Sequence, residues 1–148
     1  MPRESWPWAA QAVQYWRVFG SEIGKPVAPI QPPPALKGLE TRAVEIRPEV
    51  ILSCKPVGLN VVFEQVDRPA TAGFDLIVAT NVFLYYDTME QALALQNIST
   101  LLKPGGFFLT NDWLSGLPQI PMRSVGYTPV QYGEGHEWGD NVFWWQRQ

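Results

Sequence analysis

The chain holds few of the residues that build metal centres and covalent crosslinks. Its 148 residues include one cysteine, Cys54, and one histidine, His136. A single cysteine excludes an intramolecular disulfide and indicates a reducing compartment. One cysteine and one distant histidine give neither zinc-ligand spacing nor a Cys–His nucleophile pair, so no metal site is predicted. No GxSxG elbow is present, so Ser-His-Asp hydrolysis lacks its usual motif.

Strong net charge and long apolar runs are missing as well. The formal net charge is −3 at pH 7, and no run of Lys or Arg forms the basic stripe that nucleic-acid binding requires. No apolar stretch approaches the roughly 20 residues needed to cross a bilayer, and the first residues do not resemble a signal peptide. We therefore expect a cytoplasmic protein without nucleic-acid or membrane partners. An apolar content of 46% argues against disorder.

Proline is abundant and unevenly distributed. A helical pattern over residues 8–19 is followed by a stretch that holds Pro29 and the run at residues 32–34. Proline removes a backbone donor and restricts the residue before it, so this stretch is neither regular helix nor central strand. We expect an N-terminal helix and linker over residues 1–40, and an α/β domain over residues 41–148.

Residues 74–112 predict a strand–helix–strand unit. The run at 74–80 is almost continuously apolar, which is typical of a parallel strand buried on both faces. Asp87 and Glu90 have the spacing of a capping box at the start of a helix. Apolar residues then recur at helical spacing, and a Gly-Gly pair at residues 105–106 separates the helix from a second short strand at 107–110.

Weaker patterns predict further strands. Residues 41–46 and 59–66 alternate loosely enough to form strands. Residues 124–132 and 141–146 predict an antiparallel hairpin with a long connection. The three tryptophans near the C-terminus are expected to pack in the core or on the sheet. They are Trp138, Trp144 and Trp145.

Two segments carry a family resemblance. FDLIVATNVFLYYD and LLKPGGFFLTND resemble the fourth and fifth strand regions of class I S-adenosylmethionine-dependent methyltransferases. The resemblance covers residues 41–148 and implies a Rossmann-like α/β fold, with a mostly parallel sheet and an antiparallel hairpin at its C-terminal end. Any buried strand–helix–strand unit needs similar features, so an unrelated doubly wound α/β protein is the alternative.

The resemblance also implies site residues. VEIRPEV is similar to the family's second strand, where Glu45 would accept hydrogen bonds from the cofactor's ribose hydroxyls. Asp67 would lie near the adenine amine, and Asn81 would orient the cofactor's amino acid end or the acceptor. Tyr85 and Tyr86 would line the substrate site. The alternative roles are a surface carboxylate for Glu45, a turn residue for Asp67 and a loop cap for Asn81.

One family motif is missing. The methyltransferases have a glycine-rich turn after their first strand, and no DxGxGxG-type motif occurs here. We therefore expect a truncated or degenerate methyltransferase-like protein. If active, it would use S-adenosylmethionine and transfer a methyl group to an acceptor that the sequence does not identify. The alternative is a non-catalytic interaction or structural module. A sheet without its first strand would expose inner edges, which predicts a homodimer.

Overall fold

The computed structural model describes residues 8–31, 34, 41–66, 73–115, 119–133 and 139–148. The chain divides into two compact units, Met1–Val57 and Gly58–Gln148. The division at residue 40, inferred from proline content, stays a prediction about domain organisation. No helix within the described ranges is long and apolar enough to cross a membrane.

The described residues of the first unit include two helices and two short strands. In chain order they are α1 (Ala10–Val18), β1 (Gly24–Val27), β2 (Ala43–Ile46) and α2 (Pro48–Ser53). Helix α1 confirms the predicted N-terminal helix. The Arg42 guanidinium donates a hydrogen bond to the Trp16 carbonyl at 3.2 Å, which ties the start of β2 to α1.

Strands β1 and β2 pair antiparallel in a two-stranded sheet, with Lys25 opposite Glu45. The strand at β2 was predicted. The helix that follows it begins with Pro48, where the missing N–H removes no helical hydrogen bond. The pairing differs from the expectation, because the resemblance places this strand in a parallel sheet. Within the described residues, β2 pairs only with the unpredicted strand β1.

The second unit contains the main sheet. Its elements are β3 (Phe74–Ala79), a 3-10 turn (Phe83–Tyr85), α3 (Thr88–Leu101), β4 (Leu102–Thr110), β5 (Met122–Gln131) and β6 (Gly139–Arg147). The strand order is β3-β4-β6-β5, with β3 and β4 parallel and the other pairs antiparallel. This arrangement confirms the α/β class and the antiparallel hairpin.

Helix α3 begins at the predicted capping box. The Asp87 carboxylate accepts hydrogen bonds from the Met89 and Glu90 amides at 2.8 and 2.9 Å, and the Glu90 carboxylate accepts one from the Asp87 amide at 2.9 Å. These contacts satisfy amides that the first turn leaves without helical partners. The predicted apolar face of the helix is also confirmed. Its buried residues are Ala94, Leu95, Ile98, Ser99 and Leu101.

The Gly-Gly pair lies within β4 and does not separate it from α3 as predicted; the pairing with β3 is irregular between Leu102 and Phe107, and this stretch requires both glycines. Gly105 has a φ of +79°, a conformation that side chains disfavour. A Cβ atom at Gly106 would lie 2.9 Å from the Lys103 carbonyl oxygen and 3.0 Å from that of Phe74. The glycine pair therefore lets β4 bulge closely against the start of β3.

The core of the second unit lies between α3 and one face of the sheet. Phe108 and Trp145 are paired neighbours on β4 and β6 and are both buried on this face. Leu95 and Ile98 cover them from α3. The other members of the cluster are Val62, Phe83, Ala94, Leu102, Leu114, Ile120 and Met122. The burial of Trp145 agrees with the packing role expected for it, whereas Trp138 lies outside the described residues.

The predicted strand at residues 59–66 is wrong. The Asn60 side chain accepts a hydrogen bond from the Val62 amide at 3.0 Å, and the Asn60 carbonyl accepts one from the Glu64 amide at 2.8 Å. These local bonds form a turn, since asparagine competes with sheet pairing in this way. The side-chain amide of Asn97, on α3, donates hydrogen bonds to the Val61 and Val62 carbonyls at 2.8 and 3.0 Å. The turn thereby places Val62 in the core.

Strand β3 forms where predicted, but it is not buried on both faces. Ile77 and Ala79 pack against the core, whereas Leu76 and Val78 on the opposite face are 52% and 58% exposed. The prediction assumed a helix on each side of the sheet. Among the described elements of this unit only α3 covers the sheet, so the second face of β3 stays open.

Candidate ligand site at the carboxyl ends of the parallel strands

The two parallel strands end side by side. Ala79 on β3 pairs with Thr110 on β4, so the residues that follow them emerge at the same edge of the sheet. Ligands of open α/β sheets bind at this carboxyl edge, because the loops diverge there and leave a crevice. The polar residues at this edge are Asn81 after β3, and Asn111 and Asp112 after β4.

Asn81 and Asn111 form a reciprocal clasp. The Asn81 backbone amide donates a hydrogen bond to the Asn111 side-chain oxygen at 2.8 Å, and the Asn111 side-chain amino group donates to the Asn81 side-chain oxygen at 2.8 Å. Asn81 has a φ of +57°, the one positive φ among the described non-glycine residues. Asparagine tolerates this left-handed conformation better than most residues, and a conformation of this kind persists only where its surroundings fix it.

The clasp leaves one group of Asn81 available. Its side-chain oxygen is used by Asn111, while its side-chain amino group has no hydrogen-bond partner among the described residues. Asn81 is exposed. The clasp therefore fixes the two N–H groups of the Asn81 side-chain amide at the carboxyl edge of the sheet, where they can reach an acceptor group on a ligand.

Asp112 and Gln91 fix the loop that follows Asn81. The Asp112 carboxylate accepts a hydrogen bond from the Phe83 amide at 3.1 Å, and its own amide donates to the buried Thr110 hydroxyl at 3.1 Å. The Gln91 side chain donates to the Phe83 and Tyr86 carbonyls at 3.0 and 3.2 Å. Hydrogen bonds from β4 and from α3 thus hold both ends of the 3-10 turn.

The two tyrosines of this loop differ in availability. The ring of Tyr86 packs edge-to-face on the buried Phe83, with centroids 5.8 Å apart. Tyr85 is 76% exposed. On β4's side of the edge, Trp113 is 68% exposed and makes an edge-to-face contact with Phe143. Of the two predicted substrate residues, Tyr85 is the one that a ligand can contact without repacking the core.

Glu45 and Asp67 are the two predicted acidic site residues. Glu45 belongs to the first unit, where its carboxylate pairs with the Lys25 ammonium at 3.3 Å, and both side chains are largely exposed. Asp67 lies outside the described residues. The structure thus places Asn81, Tyr85 and Tyr86 in one loop of the second unit. The binding roles of all five residues stay predictions.

No cluster of three or more His, Cys, Asp or Glu residues within the described ranges could hold a metal ion. A groove beside the site lies between the first turns of α3 and the loop after β4. It encloses about 260 Å³ with open solvent included. Its lining residues are Thr88, Gln91, Ala92, Leu95, Leu114 and Ser115.

The sequence prediction missed three residues of this site. Asn111 and Asp112 stand directly after a predicted parallel strand, and that position was the signal for them. Gln91 had no comparable signal, because a polar residue in the second turn of a helix is ordinarily a surface residue. Its role depends on the path of the 3-10 turn, which the sequence pattern did not predict.

Comparison with family models finds no match. Among curated proteins, the highly reducing polyketide synthase acrA of Aspergillus aculeatus is 33% identical over 73 residues. The matched segment is 48% of this chain and 3% of the synthase. The chain thus spans only a small part of that relative.

Among solved structures, the chain resembles the N-methyltransferase NodS from Bradyrhizobium japonicum WM9. The structure of NodS in complex with S-adenosyl-L-homocysteine matches with a TM-score of 0.43 and 18% identity, over 60% of this chain and 52% of NodS. A second NodS structure matches with a TM-score of 0.42 and 16% identity, over 60% of this chain and 57% of NodS. The chain spans little more than half the length of these structures, and likeness at this level says nothing about activity.

Proposed function

We propose that this chain is a methyltransferase-like α/β protein that binds S-adenosylmethionine at the carboxyl edge of β3 and β4. If it is active, it transfers a methyl group to an acceptor. The observation that carries the proposal is the clasp between Asn81 and Asn111. It holds Asn81 in a left-handed conformation at the position where the motif resemblance places a ligand contact.

The residues at this edge fit one end of the cofactor. S-adenosylmethionine ends in a carboxylate, which accepts hydrogen bonds, and the clasp leaves the side-chain amino group of Asn81 free to donate them. The exposed ring of Tyr85 offers an apolar surface to an acceptor.

When bound, the cofactor supplies an electrophilic methyl group on a sulfonium sulfur. The chain's own residues then contribute mainly through position, because a fixed approach of acceptor to methyl removes much of the entropic barrier. Asn81 would hold the ligand's polar end. Asp112 and Gln91 would keep the loop that carries Tyr85 in one conformation.

The test is titration calorimetry with S-adenosylhomocysteine, the demethylated product. We expect the wild-type chain to bind, and Asn81→Gly to weaken binding by about 1–3 kcal/mol because it removes the amide while permitting the left-handed backbone. The matched control is Gln96→Ala, which removes an exposed amide from the outer face of α3. Equal affinities for Asn81→Gly and the control would remove Asn81 from the site.

A second candidate is a non-catalytic module that keeps the fold without binding the cofactor. Two observations favour it. The sequence has no DxGxGxG-type turn, and the Glu45 carboxylate is engaged by Lys25. If a folded wild-type chain fails to bind S-adenosylhomocysteine at millimolar concentration, the non-catalytic function is correct and the methyltransferase proposal is wrong.

A further inference from the structure

Three aromatic side chains stand together near the carboxyl end of β4. The ring of Phe143, on β6, makes an edge-to-face contact with Trp113, with centroids 5.5 Å apart, and a tilted contact with Tyr127, on β5, at 5.9 Å. Phe143 is half-buried against the core, whereas Trp113 and Tyr127 are 68% and 62% exposed. We call these three side chains the aromatic triad. The core fixes its central ring, and the two outer rings offer surface to a ligand.

The sheet register places the triad beside the candidate ligand site. Ala79, Thr110, Phe143 and Tyr127 are paired in turn across the four strands, so they form one row on one face of the sheet. Neighbouring strands are about 4.8 Å apart, which puts Phe143 roughly 10 Å from Ala79. Asn81 follows Ala79 by two residues. A small organic molecule beside the triad is therefore close to the loop that carries Asn81.

The charged groups of residues 69–148 are divided between the two ends of the strands. This segment has three Lys or Arg residues and seven Asp or Glu residues. All three cations lie near the amino end of β4. Lys103 is its second residue, the Arg147 guanidinium donates a hydrogen bond to the Leu102 carbonyl, and Arg123 lies at the same end of β5.

Four carboxylates lie at the other end, and none of them has a cationic partner among the described residues. Asp112, which precedes the tryptophan of the triad, accepts a hydrogen bond from the neutral Phe83 amide. Asp140 is exposed at the start of β6. Asp87 and Glu90 cap α3, whose positive helix end offsets part of their charge. Asp112 and Asp140 therefore contribute most of the negative charge.

The length of the strands keeps the two groups of charges apart. From Phe74, opposite Leu102, to Ala79, opposite Thr110, β3 rises roughly 16 Å at about 3.3 Å per residue. This exceeds the screening length of about 8 Å at physiological ionic strength. The three cations therefore do not neutralise the distant carboxylates, and the charges of residues 69–148 favour a cationic ligand at the carboxyl edge.

We propose that the aromatic triad binds an ammonium group, and that the acceptor of the proposed methyl transfer is an organic amine that carries positive charge. Naming this ligand the acceptor rests on the proposed function, whereas the recognition of its charge does not. Ring faces attract ammonium groups. The rings of Trp113 and Phe143 meet at 73° and form a corner in which both faces can contact one such group. A neutral ring could use the same contacts, but it would gain nothing from the carboxylates.

Titration with choline, followed by NMR shifts of backbone and indole N–H groups, tests this recognition. Choline carries a permanent ammonium group. Its neutral carbon isostere, in which a tert-butyl group replaces the trimethylammonium group, has nearly the same shape without the charge. We expect the wild-type chain to bind choline at millimolar concentration and about threefold more tightly than the isostere, the gain typical of cation–π contacts at exposed rings.

Two variants separate the rings from the charge. Trp113→Leu should weaken choline binding about threefold. Its control, Phe63→Leu, removes a similarly exposed ring from the turn at residues 61–63 and should leave the affinity unchanged. Asp112→Asn keeps an oxygen for the Phe83 amide and removes the charge, so it should weaken the binding of choline and leave that of the isostere unaffected.

Equal affinities for choline and its isostere would overturn the proposal, and so would a failure of choline to bind. Equal effects of Trp113→Leu and Phe63→Leu would remove the triad from the site. The outcome is separable from the titration with S-adenosylhomocysteine. Choline binding without binding of S-adenosylhomocysteine would support the cation site and count against methyl transfer. Binding of S-adenosylhomocysteine without a preference for choline would overturn the cation site alone.

Discussion

The two faces of the main sheet have similar composition but differ in burial. On one face, Ile77 and Phe108 lie under α3 in a closed core. On the other, Leu76, Val78 and Phe107 lie in neighbouring register positions on the same two strands, and they are exposed or half-buried. The difference shows that apolar residues alone do not bury a face of a strand. The face is buried only where another element, here α3, packs against it.

The largest effect should come from a matched pair of phenylalanines. Phe108 is fully buried on the covered face, so Phe108→Ala should cost about 3–5 kcal/mol of unfolding free energy. Phe107→Ala, one residue away on the open face, should cost clearly less. Urea denaturation followed by tryptophan fluorescence measures both. Similar losses at the two positions would mean that the open face is covered in solution. If Phe108→Ala fails to fold, Phe108→Leu gives the smaller comparison.

The next effect concerns the turn that adds Val62 to the covered face. Asn97→Ala removes two hydrogen bonds to the Val61 and Val62 carbonyls. We expect a loss of about 1–3 kcal/mol, because half-buried carbonyl groups are left without donors. Thr100→Ala is a suitable control, since its hydroxyl bonds only within the same helix at an exposed position. A loss no greater than that of the control would show that the turn is held by apolar contacts alone.

At the carboxyl edge of the sheet, the comparison concerns the backbone strain at Asn81. Asn81→Ala should be less stable than Asn81→Gly by about 1 kcal/mol, since both remove the amide but only alanine pays for the left-handed conformation. Denaturant midpoints of the two variants provide the measurement. An alanine variant at least as stable as the glycine variant would mean that the φ of +57° is not kept in solution.

The smallest effect belongs to the exposed ion pair at the start of β3. The Lys103 ammonium donates a hydrogen bond to Asp75 and its charge favours the carboxylate, so the pKa of Asp75 is lowered. A lowered folded-state pKa gives stability that is present above the unfolded pKa and lost as pH falls through the folded value. NMR titration of Lys103→Ala should show the pKa of Asp75 returning upward. An unchanged pKa would mean that the pair does not persist in solution.

The outcome of the sequence predictions follows the range of the interactions involved. The capping box at Asp87 and Glu90 depends on neighbours within a few residues, and the structure confirms it. The prediction of a strand at residues 59–66 was wrong because Asn60 forms a local turn. Asn97, far along the chain, stabilises that turn through a hydrogen bond. The pattern of alternation contained no information about that distant donor.

In the candidate site too, the local features were predicted and the contacts between distant residues were not. Asn81 and Tyr85 were predicted from motif resemblance and stand at the carboxyl edge of the sheet. The clasp with Asn111 was not predicted, because it depends on β3 and β4 ending in register. Glu45 was predicted to bind the ribose because its strand resembles the family's second strand. That strand pairs antiparallel with β1, and not in the parallel sheet that the resemblance implies, so the motif did not predict the contacts of Glu45.

The sequence by itself determined several local elements of this protein: the capped helix α3, strand β3 and the C-terminal hairpin. These follow from periodicity, capping and backbone sterics, which act within a few residues. The tertiary structure decided which face of the sheet is buried, how the described strands are ordered in it and which polar side chains meet at its carboxyl end. Those features depend on contacts between residues far apart in the chain, and only the folded arrangement specifies them.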